Sequence, residues 1–274
     1  MKKAHAILGR PPVVRHPLVG LLQRAVDRAL RPLGLCTRSF DERAALDVAM
    51  RFDYYWYNAR KKRDIRADKG FGPLAQTTIA QGRTYLNYDR LYTFWQTVGR
   101  FTDDDLNVAE VGAYRGGSAR FMAEALRWHG RANPLYVFDT FEGHSVVDDA
   151  VDGKHHVGKQ FQATSVEKVT KYLKDHANVR VVKGDFLQTA ALLDDVGAFG
   201  LVHIDVDVYP VTRFCLDYFA DRMVTGGVIV IDDYGFRRTR GALKAVEQFV
   251  ARRPDYYRLH LLTGQGFLVR LHTT

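Results

Sequence analysis

The sequence predicts an α/β chain with a doubly wound, Rossmann-like sheet, ended by an antiparallel C-terminal hairpin and preceded by a helical N-terminal extension. Three observations predict it. From Asn107 onward, short apolar runs alternate with helix-length stretches, the pattern of βαβ units and a parallel sheet. The last two apolar runs, YRLHLLT and FLVRL, are separated only by Gly264, Gln265 and Gly266, and so tight a connection joins antiparallel neighbours. Residues 1–70 carry 16 Lys+Arg against 7 Asp+Glu and the rest carries 24 of each, so the whole +9 excess precedes the alternating pattern. We therefore expect residues 1–80 to form a basic helical extension and residues 81–274 the main domain.

In the extension, residues 16–35 place Leu18, Leu22, Val26, Ala29, Leu30 and Leu33 at helical spacing, with Arg24, Arg28 and Arg31 on other faces. Such an amphipathic helix docks on its own domain or on a second subunit more often than on a membrane surface. Residues 41–66 form a second helical stretch rich in aromatics (Phe52, Tyr54, Tyr55, Trp56, Tyr57) and end in a basic tract from Arg60 to Arg66. Aromatic and basic side chains together can bind single-stranded nucleic acid. No recognisable nucleic-acid module surrounds them, so a nucleic-acid partner is not expected.

Gly70, Gly72 and Pro73 read as a break. After it, GRTYLNYDRLYTFWQTV is a helix pattern with Leu91, Trp95 and Val98 on one side. Strands are then expected at NVAEVGAY, PLYVFDTF, VRVVKGDF, GLVHIDVDVY and GGVIVIDDYG. Helices fall between them, ending near Trp128 and spanning about Ser165 to His176 and Thr212 to Met223, with a last one over about Arg240 to Arg252.

A hydrophobic content of 46% with 26% charged residues excludes disordered and fibrous classes. Cys36 and Cys215 stand far apart without ligand spacing, which gives no disulfide framework or zinc site and fits a reducing compartment. Arg10, Pro11, Pro12, Arg15 and His16 interrupt the N-terminal apolar runs before a signal-peptide core can form. No run approaches the roughly 20 apolar residues of a membrane span. A cytoplasmic protein without a transmembrane segment is expected.

The segment from Glu110 to Ser118, EVGAYRGGS, follows a strand and opens a helix, so its glycines let the backbone approach a ligand at the switch point of the sheet. Gly112, Gly116 and Gly117 do not reproduce GxGxxG, and Glu110 would repel a pyrophosphate. A carboxylate there suits a cationic ligand part, and Asp139, ending the second strand, suits the paired hydroxyls of a ribose. S-adenosylmethionine offers both. Asp185 and Phe186, after the third strand, are placed to accept from and stack on an adenine.

Asp205 and Asp232 are 27 residues apart, the length of one βαβ unit. Neighbouring parallel strands lie about 4.8 Å apart, so Asp205, Asp232 and Asp233 should form a compact carboxylate group at the ligand-binding edge. Their mutual repulsion is relieved by a hard divalent ion, Mg²⁺ or Mn²⁺. The proton acceptor beside them is Asp207, on the same face as Asp205 if the strand persists, or His144 in the loop after the second strand. His155 and His156 read as solvated lid residues and His203 as a buried strand histidine.

The motifs VAEVGAYRGGSARFMA, YVFDTFEG, SVEKV, KGDF, HIDVDVYPVT and GGVIVIDDYG, in this order, resemble the macrocin O-methyltransferase family over roughly residues 82 to 250. GAYRGGS is also similar to the corresponding turn of catechol O-methyltransferases. The resemblance implies a class I methyltransferase sheet, with Glu110, Gly112, Ser118, Asp139 and Asp185 lining an S-adenosylmethionine site and Asp205, Asp232 and Asp233 holding Mg²⁺. It implies methylation of a sugar hydroxyl on a small-molecule or oligosaccharide acceptor, by a homo-oligomer, most commonly a dimer. A phenolic diol is the alternative acceptor, and the polar loop between His144 and Gln160 favours sugar. A reading from another class is a basic nucleic-acid or membrane-surface binding protein on an inactive fold of this kind. The clustered carboxylates weigh against it.

Overall fold

The computed structural model describes residues 65–101, 106–158 and 160–272. The amphipathic helix expected over 16–35 and nearly all of the aromatic stretch over 41–66 lie outside the described residues. The chain divides into two units at Asp64/Ile65, and the description below is of the second, Ile65–Thr274.

Two helices lead in, α1 (Phe71–Ala80) and α2 (Tyr88–Val98). Then follow β1 (Asn107–Val111), α3 (Gly117–Trp128), β2 (Leu135–Asp139), α4 (Val166–Leu173), β3 (Val179–Lys183) and the short α5 (Phe186–Thr189). The chain closes with β4 (Phe199–Ile204), α6 (Tyr209–Phe219), β5 (Met223–Ile231), α7 (Arg240–Arg252), β6 (Tyr256–His260) and β7 (Gly266–Arg270).

The expected break at Gly70–Pro73 is instead the start of α1, and Asp68 explains why. Its Oδ1 accepts from the Gly70 and Phe71 N–H groups, both at 2.9 Å, satisfying donors that the first turn leaves without partners. Pro73 falls within that first turn, where a missing N–H costs nothing. Placed ahead of the boundary expected at 80/81, α1 buries Phe71 and Ala75 in the same core as Leu91 and Val98 of α2.

The seven strands run in the order β3-β2-β1-β4-β5-β7-β6. The first five are parallel, and β7 inserts antiparallel between β5 and β6. The hairpin is antiparallel as expected, with a longer turn, because pairing stops at His260 and resumes at Gly266. Alternation sorts the strand residues between two apolar layers. Val108, Val137, Leu201 and Val230 pack with α1, α2 and α3, whereas Ala109, Phe138, Val202 and Ile231 pack with α6 and α7. Every parallel strand therefore ends at one edge, and the loops leaving that edge form the site. Among the described residues no helix is long and apolar enough to cross a membrane.

Candidate active site

Gly112 leaves β1 at φ +94°, and a Cβ there would stand 1.9 Å from the carbonyl oxygen of Asp205, so only glycine fits. The next turn is held by Asp139, whose Oδ2 accepts from Tyr114 N at 2.7 Å and whose Oδ1 accepts from Phe141 N at 2.6 Å. Burial raises the Asp139 pKa, while those N–H donors oppose the rise. Gly112, Ser118, Asp139, Asp185 and Phe186 line one cavity together. Asp185 caps α5 by accepting from Leu187 N at 3.0 Å. Phe186 is nearly fully buried, with one face stacked on Phe219 at 5.4 Å and edge contacts to Phe138, Phe214 and Tyr218, which leaves little of its ring to meet a ligand.

Glu110 is placed elsewhere. It shares the face of the sheet that packs on α2 with His203, its register neighbour on β4. The two pair at 2.9 Å from Oε1 to Nδ1, both fully buried, and Glu110 does not line the cavity. The reading of His203 as a buried strand histidine holds, and its partners give it a further part. Burial lowers its pKa, but the carboxylates of Asp232 and Glu110 more than offset this and raise it to about 10, which favours the imidazolium form.

Asp205, Asp232 and Asp233 line the same cavity, at the ends of β4 and β5. One carboxylate oxygen from each lies within 4.8 Å of the others. Burial, followed by repulsion from Asp232 and Asp233, pushes the Asp205 pKa well up, and burial with Asp207 and Asp232 does the same for Asp233. Asp232 is buried as deeply, yet His203 and Arg90 hold its pKa down. Two of three clustered carboxylates are thus short of positive charge, and an all-oxygen donor set with that deficit fits a hard divalent cation.

The strand does not persist to Asp207. β4 ends at Ile204, and Asp207 takes the left-handed conformation at φ +61°. Its N–H donates to Asp233 Oδ2 at 3.1 Å, which returns its side chain to the cavity despite the lost alternation. Burial and the Asp205 charge raise its pKa to about 7. His144 Nε2 stands 3.7 Å from Asp207 Oδ2, and burial together with His156 lowers the His144 pKa to about 4. His155 is exposed as expected. His156 is not: it is 6% exposed, because its Nε2 bonds to Arg238 O at 2.9 Å. The loop carrying both is pinned to the domain by Asp152, which accepts from Tyr209 N at 2.7 Å.

Two residues that the sequence reading passed over complete the cluster. Arg90, beside the apolar stripe of α2, forms an ion pair with Asp232 Oδ2. Gln265, buried in the hairpin turn, donates to Asp232 Oδ1 at 3.0 Å and accepts from Thr93 Oγ1 at 2.9 Å. A polar residue between two glycines was the visible signal for Gln265, whereas nothing local marked the partner of Arg90. Removing one member of a buried ion pair costs about 3–5 kcal/mol. Arg90→Met is therefore expected to lower the thermal midpoint of the metal-free protein, with Mg²⁺ recovering most of the loss. Melting curves with and without Mg²⁺ check this, and a loss of equal size in both would show that Arg90 does not stand in for a cation.

A family model described as Macrocin-O-methyltransferase (TylF) matches residues 40–255. The match begins well before the resemblance read at residue 82 and takes in part of the basic stretch. An 8-demethyl-8-(2,3-dimethoxy-α-L-rhamnosyl)-tetracenomycin-C 4′-O-methyltransferase of Streptomyces olivaceus is 31% identical over 147 residues, 50% of this chain and 56% of that protein, so the chain spans little more than half of that relative. The O-methyltransferase NovP superimposes with a TM-score of 0.62 at 22% identity, covering 69% of this chain and 83% of NovP. The SAH-bound methyltransferase PaMTH1 of Podospora anserina does so with a TM-score of 0.52 at 16% identity, covering 85% and 97%. These two likenesses establish the fold, the class I methyltransferase sheet with its antiparallel C-terminal strands.

Proposed function

Since the chain belongs to the macrocin-O-methyltransferase family, we propose that it transfers the methyl group of S-adenosylmethionine to a sugar hydroxyl, with Mg²⁺ held by Asp205, Asp232 and Asp233. The observation that carries this reading is one cavity lined both by the glycine turn with Asp139 and by the three carboxylates. Gly112 lets the turn after β1 close against the Asp205 backbone, which brings the two halves of the cavity together, and Asp139 keeps lone pairs free for a ribose. The S. olivaceus relative acts, by its name, on a rhamnosyl group, which supports a sugar acceptor here. The fold shared with an SAH-bound methyltransferase supports the cofactor, because SAH is what remains once the methyl group has left.

Bound in this cavity, S-adenosylmethionine would supply the electrophilic methyl group and Mg²⁺ Lewis-acid polarisation of the acceptor hydroxyl. The protein's own residues do the rest. Asp207, with its pKa near neutrality, takes the hydroxyl proton. His144 stays neutral beside it, 3.7 Å away. His203 and Arg90 hold Asp232 ionised. At the mouth, the exposed Tyr85 stacked on Tyr114 at 5.6 Å gives a sugar ring an apolar wall among Arg83, Ser145 and Gln160.

Labelled S-adenosylmethionine offered with mono- and oligosaccharides and catechols, each with Mg²⁺ and with excess chelator, tests the proposal. Transfer to a sugar that chelator abolishes is the expected result. Transfer that survives complete metal removal would sink the metal assignment, and transfer to catechols alone would sink the acceptor class.

A further inference from the structure

Next to the carboxylate triad the structure gathers a second group of donors with different chemistry. One ligand atom from each of His144, His156 and Asp207 lies within 4.8 Å of the others. The side chain of His144 is 8% exposed and residue His156 is 6% exposed. Two of their ring nitrogens, His144 Nε2 and His156 Nδ1, are buried without a hydrogen-bond partner. A buried polar atom left unpaired is costly, and two on histidines gathered beside one carboxylate point to a missing common partner.

The tautomer of His156 identifies that partner. Its Nε2 lies 2.9 Å from the carbonyl oxygen of Arg238. A carbonyl only accepts, so Nε2 carries the proton and Nδ1 presents a lone pair. A histidine whose far nitrogen is anchored on a backbone carbonyl is the usual arrangement behind a metal ligand. Two imidazoles and one carboxylate select an ion that accepts nitrogen, whereas the triad offers oxygen alone.

We propose that His144, His156 and Asp207 form a second metal site, for a zinc-class divalent ion, separate from the triad of Asp205, Asp232 and Asp233. Three protein ligands leave a fourth position open, as in zinc sites that exchange water. The site has a consequence that rests on the function proposed above. It takes Asp207 out of proton transfer, so a zinc-class ion inhibits the enzyme even when Mg²⁺ saturates the triad.

Titration of the full-length protein with Zn²⁺ in excess Mg²⁺ tests the site without reference to activity. The wild type and His155→Ala, whose side chain is exposed next door, should bind Zn²⁺ alike. His156→Ala and His144→Ala should bind it at least about 100-fold more weakly while keeping Mg²⁺ binding. X-ray absorption of the Zn²⁺-loaded wild type needs no variant and should show imidazole scattering from two histidines. Unchanged Zn²⁺ affinity in both histidine variants, or an oxygen-only zinc environment, would overturn the proposal. Failure to methylate any sugar would leave these binding results standing, so the two readings fail separately.

Discussion

Asp205→Asn is expected to abolish most of the methyl transfer while making the metal-free protein more stable. The substitution keeps the shape of the side chain and removes the charge that Asp232 and Asp233 repel. A metal acting as Lewis acid contributes several kcal/mol, and each 1.4 kcal/mol is about tenfold in rate, so a loss of about 100-fold or more is expected. The sign of the stability effect follows from the pKa directions. Asp205, Asp207 and Asp233 all have raised pKa values in the folded protein, so their contribution to stability is full below the unfolded value of 3.8 and is lost as pH rises through the folded values. His203, raised from 6.5 to about 10, loses its contribution over that interval. His144, lowered to about 4, is neutral in both states above about pH 7 and does not oppose the trend. The melting temperature of the metal-free wild type should therefore fall between about pH 7 and pH 9, and Mg²⁺ should flatten the fall. In Asp205→Asn the metal-free midpoint should be higher and Mg²⁺ should hardly move it. A variant less stable than wild type without metal would contradict the repulsion on which the triad reading rests.

The parts of this fold legible in the sequence are those set by periodicity and spacing. Alternating apolar runs marked the strands, and the 27-residue interval placed Asp205 beside Asp232 because consecutive parallel strands start and stop together. Less legible were features that depend on one side chain satisfying one backbone group. Asp68 turned an apparent Gly/Pro break into the start of α1. A bond from Asp207 N to Asp233 kept Asp207 in the cavity after its strand had ended. Glu110 has the charge expected of a cofactor ligand, but strand parity sets it towards α2, where it pairs with His203. Burial of His156 followed from Arg238, 82 residues away. No local pattern announces such long-range partners.

Asp207→Asn should lower kcat by about 10²–10⁴-fold, the usual worth of a positioned general base, with a much smaller change in the binding of S-adenosylmethionine. His144→Gln should cost about tenfold, because it removes a neutral neighbour rather than the proton acceptor. The pH profile separates the two by direction. A base must be deprotonated, so activity rises with pH through the pKa of the group responsible. Burial and Asp205 hold Asp207 up at about 7, whereas burial and His156 hold His144 down at about 4. A cation among Asp205, Asp232 and Asp233 cancels part of the charge that raises Asp207, so its limb belongs at or below 7 and should shift with the ion used. A limb from His144 would sit near 4 and would vanish in His144→Gln. The expected profile is a rising limb present in wild type and in His144→Gln but absent from the residual activity of Asp207→Asn. The reverse pattern, with His144→Gln the more damaged enzyme, would move the base to His144 and leave Asp207 the task of orienting it.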